Sequence, residues 1–504
     1  MELLYDQVHY PLLTHSYTHP DRMAVVGRLM GLQPAHPAGC RVLDLGCGSG
    51  VNVIAMAELL PHSQFTGIDY SHSQIEAGKR IVAQLGLTNV DLRAADVLDL
   101  PDDIGPFDYI IAHGFYSWVP EDVRRKGLRL IKHSLAPHGI AFVSFNAYPG
   151  WHQLGALREM MLYRIRDIAD PVEKVSAARE LVAILAETDP EDSSFAAYVR
   201  EYHVTVHGRG PMPESQLVGT LLHDELSEVN QPFYFSQFVE QVNAEGLEHL
   251  AEADLEGSTP VGIGSDVVDK LTSFTTSRVD MEQYLDFLRN RLFHKALLCL
   301  PEAPVSRTLS ANAGALQGLY VGTAVTPRPD ENALGKVSFV APDGLAYSTG
   351  QPLLHAAYLR LAEARPDVVL FEDLLAHASA ASGSNSSEDA DALAAALLRN
   401  FLHGRTLAHF HVWRPPVFGQ VSERPRTTAF ARFMAGVDTD DVTSVRHERV
   451  TMTPAARALI PLLDGQPDLP ALLTAARSAL GPSVTEDDVR QELAWLARAA
   501  MFVA

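Results

Sequence analysis

Cysteine is scarce. Three occur in 504 residues, Cys40, Cys47 and Cys299, with no CxxC spacing among them. That excludes a disulfide framework, argues against a structural zinc site, and makes a reducing cytoplasm the expected location. Basic residues are also short. Forty Lys and Arg stand against 62 Asp and Glu, a formal charge of −22. General nucleic-acid binding needs cations on the phosphates, so no nucleic-acid partner is expected. No apolar run approaches the roughly 20 residues of a membrane helix, so no membrane insertion is expected. The opening MELLYDQVHYPLL lacks the basic cluster of a secretory signal. The 21 histidines are scattered. Pairs such as His15 and His19, or His409 and His411, lack a third ligand at a familiar spacing, so no metal is expected.

What is present is an alternation. CRVLDLGCG, QFTGIDY, VDLRAADV, FDYIIAHG and GIAFVSFNAY read as buried strands, separated by helical patterns such as VNVIAMAELL and HSQIEAGKRIVAQLG. Strands alternating with helices predict a parallel sheet with right-handed crossovers. Residues 151–230 break the rhythm: two helical patterns, then an irregular, polar stretch from Pro190 to Gly219. Alternation resumes with FSQFVEQVNAEG, LEHLAEADL, MEQYLDFLRNRLF and HKALLCL, ending near residue 304. Further on, KVSFVAPDGLAYST reads as a hairpin around Pro342-Asp343-Gly344, QPLLHAAYLRLAEARP as a helix, and residues 378–392 as a flexible linker. Three helical patterns close the chain and suit a small helical or winged-helix domain. Without a basic recognition helix, that domain suits an interaction or dimer-arranging role.

Asp44-Leu45-Gly46-Cys47-Gly48-Ser49-Gly50 follows the first strand and opens a helix. Glycines there let the backbone approach a ligand, and the helix start offers unpaired N–H groups. A dinucleotide fingerprint needs glycine at position 51, which is Val51. The pattern is DxGxGxG instead, with an acid that can pair with an ammonium group. It resembles motif I of the class I S-adenosylmethionine-dependent methyltransferases. Asp69 at the second strand's end suits two ribose hydroxyls. Asp96 at the third suits an adenine amino group, with Val97 packing on the ring. The resemblance implies a cofactor site of Tyr10, Asp44, Gly46, Cys47, Gly48, Asn52, Asp69, Tyr70, Gln74, Asp96, Val97 and His113, holding S-adenosyl-L-methionine.

A narrower resemblance rests on YDQVHYPLLTHSYTHPDRMAVVGRLMGL, AHGFYSWVP, SFNAYPGWHQLGALREMMLYR and HDELSEVNQPFYFSQFVEQV. These stretches are similar to bacterial methyltransferases with a so-called regulatory domain, including the Rickettsia outer-membrane-protein lysine methyltransferases. The fold class implied is α/β: a Rossmann-like methyltransferase sheet with a helical insertion, followed by an α+β, winged-helix-like C-terminal region. The expected divisions are 1–150 (cofactor-binding core), 151–230 (helical insertion, for dimerisation or a lid), 231–304 (completion of the core), 305–420 (middle α+β domain) and 421–504 (C-terminal domain). Thr18 reads as the cap of a helix with Pro20 and Asp21 in its first turn. The preceding arm can close over the cofactor, with Tyr5 or Tyr10 against the sulfonium.

The family points to protein lysine side chains as acceptors, and to a homodimer. A small molecule or modified peptide remains an alternative acceptor, and a cofactor-binding regulator an alternative to an enzyme. Amino-methylating relatives carry Asn/Asp-Pro-Pro-Tyr/Phe at the fourth strand's end, where this chain has His113-Gly114-Phe115-Tyr116. His113 takes the polar position and both prolines are missing. His113, Tyr116 and Trp118 are therefore the acceptor-pocket candidates, Tyr116 facing the acceptor and His113 touching the cofactor. Asn146, Tyr148 and Trp151 are expected at the same crevice. His223 and Glu225 are expected to close it, by resemblance alone.

Overall fold

In the computed structural model, residues 4–188, 193–207, 214–306, 309–329, 337–383, 386 and 388–503 are described. Seven strands form the central sheet: β1 (Arg41–Leu45), β2 (Gln64–Asp69), β3 (Val90–Ala94), β4 (Phe107–Ala112), β5 (Leu135–Asn146), β6 (Glu248–Glu252) and β7 (Phe293–Cys299). Their order is β3-β2-β1-β4-β5-β7-β6. Alternate side chains of a strand face opposite ways. Val42 of β1 therefore joins one core with Ile54, Leu250 and Leu297, while Leu43 and Leu45 join another with Ile110, Phe145 and Phe238.

The strands β1 to β5 are parallel, as expected. β7 is not: it runs antiparallel to both β5 and β6. The connection from β6 through the helices Ser265–Thr272 and Arg278–Arg289 returns at the end where it left, so no crossover is made. Hydrophobic runs show burial and not direction, which is why the reversal was not legible.

The insertion between β5 and β6 holds four helices, Gly150–Ile165, Pro171–Ala186, Ser194–His207 and Glu214–His223, around a core that includes Trp151, Leu157, Val182 and Leu222. The last two fall largely in the stretch expected to be irregular. Val199 and Tyr202 supply the missed apolar face, three residues apart, amid polar neighbours. Of the 378–392 stretch read as a linker, both ends are helical, and residues 384, 385 and 387 lie outside the described residues. Phe371–Ser382 and Asp389–His403 are both helices, and the run of small residues in 378–382 continues the first.

Beyond β7, short antiparallel strands include the expected hairpin, Val337–Val340 with Ala346–Ser348. The last region contains a further helix, Ala429–Ala435, and a small hairpin, Asp441–Thr443 with Arg449–Thr451, besides the three helices read from the sequence. These regions continue one face of the sheet: the core containing Val42 runs on through Val321, Leu397, Phe430 and Leu496. Buried polar contacts tie them down. Asp21 accepts from the Val412 and Trp413 amides at 2.8 and 2.9 Å and meets His411 Nδ1 at 2.6 Å. Glu58 accepts from the Ala429 and Phe430 amides at the start of a helix. The expected cap at Thr18 falls one residue later, where His19 Nδ1 accepts from the Asp21 amide. No helix of the described residues is long and apolar enough to cross a membrane.

Candidate active site

The glycine loop joins β1 to the helix Val51–Leu59. Gly46, Gly48 and Gly50 have φ of 73°, 56° and 72°, a region that costs any side-chain-bearing residue. At Gly50 a Cβ would also lie 2.8 Å from Leu92. The Asp69 carboxylate fixes the loop: one oxygen accepts from the Gly48 amide and the other from the Ser71 amide, both at 2.8 Å.

A cavity of about 460 Å³ opens over these strand ends. Of the expected cofactor residues, Tyr10, Asp44, Gly46, Cys47, Gly48, Asn52, Asp69, Tyr70, Gln74, Asp96, Val97 and His113 all line it. Their settings differ. Asp44 is buried, which pushes its carboxyl up to about 8 against the opposing hydrogen bond from Asn52. Asp96 lies past the end of β3, which stops at Ala94, and its Oδ1 accepts from the Leu98 amide at 2.9 Å as a helix cap. Tyr70 is exposed.

The N-terminal arm crosses the cavity. Asp6 Oδ1 accepts from the Ser71 and Ser73 hydroxyls at 2.6 Å, anchoring one end beside β2. At the other end His15 stacks on His113 with ring centroids 3.9 Å apart. The Tyr17 hydroxyl lies between them, 3.0 Å from His15 Nδ1 and 2.8 Å from His113 Nε2. Burial holds His15 down to about 3 and His113 well below its ordinary value, so both rings are neutral at pH 7. Tyr10 sits between the two anchors; the side chain of Tyr5 lies outside the described residues.

The acceptor candidates divide. Trp118 lines the cavity, and its buried indole Nε1 has no hydrogen-bond partner among the described residues. Tyr116 does not line it. It is 1% exposed, donates to Gln241 Oε1 at 2.6 Å, and packs edge-on against Phe145, Phe233 and Phe238. The cause is Gly114, whose φ of 63° turns the chain so that Phe115 and Trp118 face the cavity and Tyr116 turns into the core. Phe115, His15 and Tyr17 were missed by sequence reasoning. Asn146, Tyr148 and Trp151 also stand away from the cavity: Asn146 pairs with Asn230, Tyr148 stacks on His152, and Trp151 is in the insertion core. From the insertion, His223 lines the cavity with its neighbour Asp224, while Glu225 accepts from the Tyr202 hydroxyl. Elsewhere a buried trio, Glu282, Asp286 and His294, brings ligand-type atoms within 4.8 Å of one another. There His294 is engaged by carboxylates on both nitrogens, Glu252 at 3.1 Å and Asp286 at 3.0 Å.

The sheet order, the glycine cradle and the acids around one crevice define a class I S-adenosylmethionine-dependent methyltransferase. The chain matches the family model of a methyltransferase domain over residues 36–158, a predicted methyltransferase regulatory domain over 219–300, and the PKMT C-terminal winged helix domain over 423–481. It is 36% identical to uncharacterized protein RP028 of Rickettsia prowazekii over 255 residues, 49% of this chain and 97% of that one. RP789 of the same organism is 30% identical over 306 residues, 61% of this chain and 54% of that one. PKMT2 from Rickettsia typhi, solved in complex with AdoHcy, superposes with a TM-score of 0.86 at 26% identity, covering 98% of this chain and 100% of that one. The chain belongs to this family of S-adenosylmethionine-dependent methyltransferases of the PKMT type, with a regulatory domain and a winged-helix C-terminal domain.

Proposed function

We propose that this enzyme methylates lysine side chains of protein substrates and that the cavity residues divide between cofactor and acceptor. The observation that carries the reading is the set of acids around the cavity, whose ionised forms a bound cation favours. Among the described residues its lining includes four acids, Asp44, Asp69, Asp96 and Asp224, and neither lysine nor arginine. Such a site suits cationic ligands, and both the sulfonium cofactor and a lysine ammonium are cations. Bound S-adenosylmethionine supplies a methyl group on an activated sulfur. Asp44, oriented by Asn52, receives the amino-acid ammonium. Asp69 takes the ribose hydroxyls, while Asp96 and Val97 take the adenine. Gly46, Cys47 and Gly48 let the backbone approach, and Tyr70 and Gln74 flank the ribose side. Tyr10 and the arm exclude water, and His113, neutral and held by Tyr17, supports the methyl end. Trp118 borders the acceptor's path. Direct displacement needs alignment more than covalent machinery.

Incubation with tritiated S-adenosylmethionine and cell lysate tests this. Label on protein, released as methyl-lysine on hydrolysis, is expected; label confined to small metabolites would overturn it. We also place the enzyme in the cytoplasm, on its cysteine scarcity, and infer a homodimer through the insertion, whose Met160, Tyr163 and Ile184 are exposed apolar side chains. Sedimentation would read the dimer directly.

A further inference from the structure

We propose that Asp224, with Tyr10 beside it, is the subsite that receives the acceptor's ammonium group and takes its proton. The inference rests on the lysine reading above and adds the residue that acts on the lysine. Its starting point is the carboxylates of the cavity. Asp44, Asp69 and Asp96 come from the sheet side, at or just beyond the ends of β1, β2 and β3. Their offered partners are all parts of one cofactor. Asp224 is the remaining carboxylate and comes from a different layer, just past the insertion helix Glu214–His223.

The insertion and the arm hold Asp224 in place. His223 Nε2 donates to the Val8 carbonyl at 2.7 Å, fixing the turn that carries Asp224 against the arm. Tyr10 hydrogen-bonds Asp224 from that arm, and its ring lies 6.1 Å from that of His223. Glu225 adjoins Asp224 in the chain but is engaged by Tyr202 Oη at 3.2 Å and does not line the cavity. Among the described residues, the charged and titratable groups around Asp224 are therefore Glu225, Tyr10, His223 and His9, with Tyr202 behind Glu225. None of them is a lysine or arginine. Burial and the neighbouring Glu225 push the Asp224 carboxyl well above the ordinary range, as expected of an acid that lacks its cation.

Lysine enters as an ammonium and must lose a proton to become a nucleophile. An incoming ammonium favours the ionised form of Asp224, whose own proton leaves to water as the cation binds, and the carboxylate so formed can accept the proton from nitrogen. One N–H bond breaks and its proton passes to Asp224. The freed nitrogen pair forms the bond to the methyl carbon while the carbon–sulfur bond breaks, its electron pair staying on sulfur. The products are a methylated ammonium, a neutral thioether and protonated Asp224, which returns its proton to water.

Wild type, Asp224→Asn and Asp224→Glu are compared with tritiated S-adenosylmethionine and poly-L-lysine, alongside calorimetric titration with S-adenosylhomocysteine. Binding of n-butylammonium to the S-adenosylhomocysteine complex is followed by saturation-transfer NMR. Asn keeps the shape and polarity of the buried acid, so the variant should fold; Asp224→Ser serves if it does not. Expected are a loss of at least about 30-fold in kcat/KM, loss of n-butylammonium binding, and S-adenosylhomocysteine affinity within about three-fold of wild type. Asp224→Glu should recover part of the rate. The residual Asn rate should climb about ten-fold per pH unit below the lysine pKa, because only amine already neutral in solution can react. A merely structural role would not impose that slope. Wild type that labels poly-L-lysine, with the Asn variant within two-fold of it, overturns the role of Asp224 alone. Loss of S-adenosylhomocysteine binding in the Asn variant makes Asp224 a cofactor residue and also overturns it. Wild type that labels neither poly-L-lysine nor lysine in lysate proteins overturns the lysine reading itself.

Discussion

His447 Nε2 donates to the side-chain oxygen of Asn52 at 2.9 Å, joining residues 395 apart in the chain. The same Asn52 oxygen accepts from the His15 amide at 3.0 Å, and its nitrogen donates to Thr18 at 3.0 Å. Asn52 also hydrogen-bonds Asp44. One amide thus ties the C-terminal domain, the arm and a cavity carboxylate together. Burial keeps His447 neutral, so it can donate from Nε2 without introducing a charge. Replacing His447 by alanine should cost about 1–2 kcal/mol, shared between stability and cofactor binding. S-adenosylhomocysteine affinity should fall several-fold by calorimetry although His447 does not line the cavity. Unchanged affinity and unchanged melting would remove the C-terminal domain from any part in shaping the site.

Asp69 carries two tasks, and its loss should show both. Asp69→Ala frees the Gly48 and Ser71 amides and deletes the acceptor offered to the ribose. Cofactor affinity should drop at least about 100-fold, equivalent to roughly 2.8 kcal/mol. Titration with S-adenosylmethionine checks it, and affinity within a few-fold of wild type would defeat the placement of the ribose.

Asp44 predicts a pH dependence. Its carboxyl is raised to about 8, so the cofactor-free protein holds a proton there at neutral pH. The native state then binds more protons than the unfolded one between about pH 4 and 8, and this group's contribution to stability falls as pH rises through that window. An incoming ammonium favours the ionised form. Cofactor binding below pH 8 should therefore release close to one proton, and affinity should increase from pH 6 to 8. Calorimetry in buffers of different ionisation enthalpy reads the release, and Asp44→Asn should abolish that component.

The glycine loop and all seven strands of the sheet could be located from the sequence because each depends on local pattern, apolar runs and glycine spacing; acids near strand ends pointed to Asp44, Asp69 and Asp96, and resemblance supplied candidates such as Tyr10, Asn52, Tyr70 and Gln74, all of which line the cavity. What was not legible depends on direction or distance. The backbone turn at Gly114 decides which of Phe115, Tyr116 and Trp118 faces the cavity, and the order of residues alone does not reveal it. His15 and Tyr17 sit in an arm whose destination beside His113 is a tertiary fact. The antiparallel β7 and the contact between His447 and Asn52 are of the same kind. Only the HSYTH cluster, three rings in five residues, offered a signal that could have been followed.

Tyr116 turns that lesson into a measurement. As a core residue bound to Gln241, Tyr116→Phe should lose about 1 kcal/mol of stability while keeping kcat and KM near wild type. Tyr116→Ala should cost about 3–5 kcal/mol through the cavity it leaves among Phe145, Phe233 and Phe238. Denaturant titration and steady-state kinetics on the same preparations separate the two effects. A Phe variant of normal stability and much reduced turnover would return Tyr116 to the acceptor.

His294 sets a second pH limit, away from the cavity. It is fully buried, which alone would lower its pKa, but Glu252 and Asp286 outweigh burial and raise it to about 9. A raised folded value means that the stabilisation is complete below the unfolded value of about 6.5 and is lost as pH climbs through about 9. Wild type should therefore weaken between pH 7 and 9.5 in urea titrations. His294→Leu removes one partner from each of two buried carboxylates, leaving Arg291 on Asp286 and the Lys295 amide on Glu252, so it should be less stable by about 1–3 kcal/mol at pH 7 and show a flatter dependence between about pH 7 and 9. Asp44 acts between about pH 4 and 8 and His294 between about pH 6.5 and 9, so Asp44→Asn and His294→Leu measured in one pH series assign the two slopes. An equal slope between about pH 7 and 9 in wild type and His294→Leu would place the titrating group elsewhere.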